Sequence, residues 1–280
     1  MRTIEPSEIK IKELISLFEI KKFDELLRLS NELLNEFPKS ILLHNIQGAV
    51  FTELKNYQLA KNLFIKVVNL NPRYTDGYYN LAYTLSKLNE EDKAIENYIK
   101  VIKIDRNYFK AHNNLGNIYR KKGLNKKAIE CYLTTLEINS NYKIAYYNLA
   151  GVLQFYIINV ENKKINKYLL YLLKEKIIVR PNSIAPNVLN ILFLNTDLKK
   201  NLSLVKDKIT NKDFNYILET LQKNSLLMQF MKVCPISDYY IETNFVKIRK
   251  EILNHIYKSD IDEVHINFLI SLSIQCFLNE

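Results

Sequence analysis

Three asparagines, Asn80, Asn114 and Asn148, recur at intervals of 34 residues. Each lies in a stretch patterned as a helix, where alanine or leucine would cost less. A side-chain amide offers two donors and an acceptor. The chemistry on offer is therefore non-covalent. A row of amides can hydrogen-bond the backbone of an extended chain whatever its sequence. The same amides can instead bond a neighbouring helix, and the sequence leaves both roles open.

No other set of residues builds a reaction centre. The four histidines, His44, His112, His255 and His265, show no metal-ligand spacing. The three cysteines, Cys131, Cys234 and Cys276, form no CxxC pair. Neither zinc nor a disulfide framework is indicated, and they read as reduced, packed thiols. A glycine-rich phosphate loop is missing, and no glycine follows Gly151. That leaves no nucleotide or S-adenosylmethionine loop in the later part. Carboxylates are scattered along helix surfaces without an acid–base pair. The expectation is a chain without catalytic, cofactor or metal residues.

The elements that position the asparagines repeat with them. The leucines that follow, Leu81, Leu115 and Leu149, keep the 34-residue period, as do the small residues Gly48, Ala82, Gly116 and Ala150. A second set shares it: Ala60, Ala94 and Ala128, then Phe64, Tyr98 and Tyr132, with Pro38 and Pro72 closing units. A fixed period of this length marks helix pairs that cannot bury their apolar faces alone and must stack. Small residues let the first helix (A) approach the second (B). The aromatics fill the gap toward the next unit, and proline stops helix B.

This order of large, small, aromatic, alanine, aromatic and proline resembles the tetratricopeptide repeat (TPR) family. The resemblance implies an all-α fold: a right-handed superhelix of four to five helix pairs, with a concave groove lined by the A helices. Full units fall at about 41–74, 75–108 and 109–142. A degenerate unit covers 7–40, and a fifth covers 143–181, its proline seven residues late at Pro181. A longer A–B loop at 157–165 accounts for the delay. Residues 1–181 are thus read as solenoid and 182–280 as a helical segment, with apolar residues at threes and fours.

The resemblance also places the groove. It lays Lys110, Asn113, Asn114, Asn117, Arg120 and Lys121 along the third full unit. In the second it lays Asp76, Tyr79, Asn80, Tyr83, Ser86 and Lys87. In the unit from 143 it adds Ile144, Tyr147, Asn148, Gly151, Gln154 and Phe155. Asn80, Asn114 and Asn148 match the asparagine ladder of eukaryotic O-linked N-acetylglucosamine transferases, with Ile46 interrupting it upstream. Lys110, Asn117, Arg120 and Lys121 resemble the carboxylate clamps of chaperone-binding TPR domains. Tyr78 and Tyr146 are assigned to the core.

Composition limits the partners. The net charge of +10 is spread evenly, with 22 basic and 17 acidic residues in 1–142 and 18 and 13 in 143–280. Only seven of the 40 cations are arginine, the usual reader of bases and phosphates. A lysine-rich solvated surface fits better than a nucleic-acid site. No stretch is long and apolar enough to span a bilayer, and the N-terminus lacks a signal-peptide run. The expected chain is cytoplasmic and binds a protein or peptide, not nucleic acid or membrane; its oligomeric state is left open. The ending "SIQCFLNE" has no cap or polar tail and reads as a fragment. Residues 231–253 and 268–280 resemble the helical region of bacterial TPR–methyltransferase fusions. That resemblance implies an alternative role: the non-catalytic recognition part of a fused methyl- or glycosyltransferase.

Overall fold

The structure is a computed structural model that describes residues 5–158, 163–175, 178, 180–203, 211–234, 243, 245–248, 250 and 271. Among the described residues are fourteen helices and no strand. This is the all-α class that scarce turn residues predict. Most of residues 231–253 and 268–280, which carry the methyltransferase resemblance, lie outside the described residues. So do His255, His265 and Cys276.

Two compact units are present, Met1–Ser140 and Asn141–Glu280. The first is built of four helix pairs. They are α1 (Glu8–Glu19) with α2 (Phe23–Glu36), α3 (Ile41–Glu53) with α4 (Tyr57–Leu70), α5 (Thr75–Lys87) with α6 (Glu91–Ile104), and α7 (Phe109–Lys121) with α8 (Asn125–Ile138). Each A helix packs on the next, α1 on α3, α3 on α5 and α5 on α7. This row is what positions the predicted groove residues.

Every A helix of the first unit ends in the same way. Two residues before the start of each B helix stands a left-handed residue: Lys21, Lys55, Asn89 and Gly123, with φ of 58°, 59°, 59° and 73°. The following N–H reaches back five residues to a carbonyl, Lys22 to Leu17 at 2.9 Å and Leu124 to Tyr119 at 2.8 Å. That bond satisfies carbonyls the helix leaves unpaired. Only the last of the four turns uses glycine, the residue that enters this region without strain.

The core repeats with the sequence. Ala60, Ala94 and Ala128 are fully buried, and so, within 1%, are Phe64, Tyr98 and Tyr132. A Cβ at Gly48 would lie 2.5 Å from Phe64 Cε1, and one at Gly116 would lie 2.7 Å from Tyr132 Cε1. The aromatic of helix B therefore rests directly on the backbone of helix A. His44 is buried, and His112 is half-buried. Each holds Nε2 3.1 Å from a carbonyl oxygen six residues back, on Pro38 and Arg106. A carbonyl only accepts, so each Nε2 carries the proton. Burial depresses the His44 pKa.

The second unit contains α9 (Lys143–Leu153), α10 (Lys163–Lys174), α11 (Pro181–Leu194), α12 (Thr196–Ser203), α13 (Asn211–Lys223) and α14 (Ser225–Val233). Here α9 packs on α10 and α11, and α14 packs on α10, α11 and α13. Helix α9 ends at Leu153 and α10 begins at Lys163, so 163–165 of the loop expected at 157–165 are helical, while 159–162 lie outside the described residues. Asn187 of α11 clasps the start of the loop, donating to the carbonyls of Leu153 and Tyr156 and accepting from Ile158 N–H at 2.8 Å. The pair α9–α10 thus groups with the later helices, and the compact units divide at 140/141, whereas the sequence places the change at 181/182. Within the segment read as helical, α13 and α14 divide at Asn224, whose Oδ1 accepts from Leu227 N–H at 3.0 Å and starts the new helix.

Two glycines predict separable outcomes. Gly116→Val should overpack the Tyr132 contact and cost about 1–3 kcal/mol. Gly123→Ala meets nothing within 4 Å, so its cost of about 1–2 kcal/mol comes from the left-handed backbone alone. Urea unfolding of both variants checks this. Equal stability to the parent at Gly116 would contradict the packing assigned to it.

Candidate functional site

Between α5 and α7 the groove deepens into a cavity of about 220 Å³. Its lining holds Tyr83, Ser86 and Lys87 from α5, Asn114, Asn117, Ile118 and Lys121 from α7, and Glu91 and Tyr98 from α6. Six of the predicted groove residues therefore meet at one place: Tyr83, Ser86, Lys87, Asn114, Asn117 and Lys121. They lie on successive turns of two adjacent A helices, as residues three and four apart must. The A-helix positions alone miss Glu91 and Tyr98. Both belong to helix B, and Glu91 arrives because the A–B turn folds it back beside the A-helix end.

The asparagines do structural work here. Asn114 Nδ2 donates to the hydroxyls of Tyr79 at 3.1 Å and Tyr98 at 3.3 Å. Its Oδ1 accepts from Asn113 Nδ2 at 3.2 Å. Asn80 Nδ2 donates to Asn45 Oδ1 at 3.0 Å. Each amide thus joins its own A helix to the A helix of the preceding unit. Of the two roles the sequence leaves open, inter-helix bonding is the one formed at Asn80 and Asn114. Asn113, expected on the groove, is buried at 2% exposure, with its amide turned along the helix to Asn114.

Tyrosines tie the two helices further. The Tyr79 ring lies 5.9 Å from Tyr98 and 5.0 Å from Tyr108. The Tyr108 hydroxyl donates to Asp76 at 2.8 Å. Burial raises the Tyr98 and Tyr108 pKa values well above the ordinary tyrosine range, so both stay neutral. Tyr79 is half-buried against the core and presents less surface than a groove tyrosine should. Tyr78, assigned to the core, is partly buried there, with Lys100 Nζ 5.3 Å from its ring centroid.

The groups left to face the cavity are mixed. Asn117 Oδ1 accepts from Tyr132 at 2.9 Å, which turns its amide nitrogen outward. Lys87 Nζ lies 5.1 Å from the Tyr83 ring centroid. Lys121 Nζ lies 2.6 Å from Glu91 and 3.0 Å from Asn89 Oδ1. Lys110 and Arg120 are exposed on α7 outside this lining. Tyr147 and Asn148 belong to α9 of the second unit; Tyr147 is 48% exposed and Asn148 half-buried. Ile144 and Phe155 there are also exposed, while Tyr146 is buried against Tyr168 and Tyr171.

Burial pushes the thiols of Cys131 and Cys234 up to about 12, which leaves them protonated and unreactive near neutrality. Among the described residues no cluster of histidine, cysteine or carboxylate could hold a metal ion. No helix among them is long and apolar enough to cross a membrane.

Comparison with protein-family models matches the tetratricopeptide repeat at residues 63–96 and 109–142, and the TPR repeat at 87–123. Residues 63–142 are tetratricopeptide repeats. The second match coincides with the unit placed at 109–142. No curated protein matches the chain. Solved structures with similar folds include MamA, 23% identical, covering 50% of this chain and 81% of that one at a TM-score of 0.47. Another is YrrB, described as a TPR protein with an unusual peptide-binding site, 16% identical over 62% of this chain and 89% of that one, TM-score 0.48. A third is the first TPR of Spaghetti (RPAP3) bound to an HSP90 peptide, 22% identical over 41% and 91%, TM-score 0.40.

The TPR geometry makes a sharp prediction for Asn114. Replacing it with alanine removes the amide donor shared by the Tyr79 and buried Tyr98 hydroxyls and should destabilise the protein by about 1–3 kcal/mol. Lys87→Ala, at an exposed cavity residue, should change stability by no more than about 0.5 kcal/mol. Denaturant titration separates the two. Equal, negligible costs would show that the amide bonds between repeats carry no stability.

Proposed function

We propose that the first unit is a protein-interaction module that holds an extended peptide along its row of A helices. The cavity between α5 and α7 carries the reading. It combines a tyrosine face, an outward amide nitrogen and two ammonium groups over a rigid floor. Tyrosine supplies contact area at small entropic cost, and Asn117 can donate to a peptide carbonyl. Lys87 and Lys121 favour carboxylates or carbonyl oxygens nearby. Asn114 acts from beneath, holding α7 against α5 so that the lining keeps its shape. Such preorganisation lowers the entropy a peptide must lose on binding.

The reading differs from a free asparagine ladder in where the affinity resides. Tyr83, Asn117 and Lys121 make the contacts, while Asn80 and Asn114 set the spacing of the helices that carry them. Tyr147 and Asn148 offer a further contact surface on α9.

Panning a random linear-peptide library on the full chain tests this. Binders should emerge, and the Tyr83→Ala, Asn117→Ala double variant should weaken them roughly tenfold or more with helicity unchanged by circular dichroism. Peptides that bind the double variant as tightly as the parent would place the site elsewhere.

A further inference from the structure

The last residue of each A helix in the first unit keeps the 34-residue period: Glu19, Glu53, Lys87 and Lys121. All four are exposed. Lys87 and Lys121 line the groove cavity, and Glu19 and Glu53 occupy the same register on α1 and α3. The charge at this rim thus changes sign once along the row.

The remaining groove positions follow the same trend. At the positions equivalent by the 34-residue period, α1 carries Glu8, Lys12 and Glu19, a net −1, and α3 carries Glu53 alone, again −1. In α5, Asp76 balances Lys87. At the far end α7 carries Lys110, Arg120 and Lys121, a net +3. Glu91, 2.6 Å from Lys121, offsets part of that charge. Lys12 is engaged by Glu8 at 2.7 Å. Lys21 and Lys55, exposed in the left-handed turns two residues beyond Glu19 and Glu53, offset part of the acidic charge as Glu91 does the basic.

Resting on the groove reading above, we infer that the groove has a built-in electrostatic direction. Its occupant is a peptide with acidic and basic residues segregated toward opposite ends. The acidic end lies over α7 and Lys87, and the basic end over α1 and α3. A peptide with the same composition but alternating charges meets a like charge at each end, and like-charge juxtaposition opposes binding. Segregation therefore fixes the register of a sequence that backbone contacts alone would let slide.

Two peptide libraries test this on the full chain. Both have randomised centres and equal numbers of glutamate and lysine; one segregates the charges to opposite ends and the other alternates them. Segregated peptides should bind roughly tenfold more tightly at low salt, a margin that shrinks as salt screens the rim. The margin should vanish in the variant E19Q/E53Q/K87Q/K121Q, with ellipticity and residual binding retained. A photo-crosslinker at the acidic end should label α7. Equal, groove-dependent affinity for both libraries overturns the directional inference and leaves the groove reading standing. Binders from neither library overturn both. A salt-sensitive dimer of the parent chain that the quadruple variant abolishes would assign the rim to a second copy, and also overturns the inference.

Discussion

The first unit depends on a contact made outright in two of its four helix pairs: an aromatic ring of helix B resting on the backbone of helix A. Phe64 on Gly48 and Tyr132 on Gly116 leave no room for a Cβ. The ring sets how closely the two helices approach, and interiors as dense as this transmit that distance to their neighbours. Fully buried alanines at Ala60, Ala94 and Ala128 allow the same approach from helix B. The groove is a consequence. Once each pair has a fixed thickness and stacks on the next, the A helices form a row, and their outward positions line one surface.

Polar groups then hold this row in register. Asn80 reaches Asn45, and Asn114 reaches Tyr79 and Tyr98. Lys121 and Lys122 pair with Glu91 and Asp92 across α6 and α7. Exposed ion pairs of this kind contribute little individually. The amide bonds to buried tyrosine hydroxyls matter more, because a stranded hydroxyl away from water is costly. The division of labour follows: buried or half-buried amides fix the spacing, and the tyrosine, lysine and amide groups of the lining stay at the surface.

Much of this was legible in the sequence. Period, helix pairing and the packed residues all follow from apolar and small positions locked to 34 residues, because stacking needs the same shapes in each unit. The cavity lining was legible in part, since Tyr83, Lys87, Asn114, Asn117 and Lys121 occupy outward positions of adjacent helices. The bonding partner of each asparagine was not, because Tyr79 and Asn45 lie on the preceding unit and only the close approach of the A helices aims one side chain at the other. Glu91 and Tyr98 escaped for a similar reason, arriving at the cavity from helix B. The break at Asn224 is a single cap inside an apolar period that continues on both sides. The grouping of α9 with the later helices depends on Asn187 grasping a loop more than thirty residues away in sequence and leaves no local trace.

The central claim is that the outward face of the A helices in the first unit is where a partner binds. Hydrogen–deuterium exchange on the full chain, with and without a peptide selected from a random library, tests it most directly. The account predicts slowed exchange in α5 and α7 and the turns that follow them, with α4 and α8 unchanged. Slowing confined to α4, α6 and α8, or to the second unit, would contradict it.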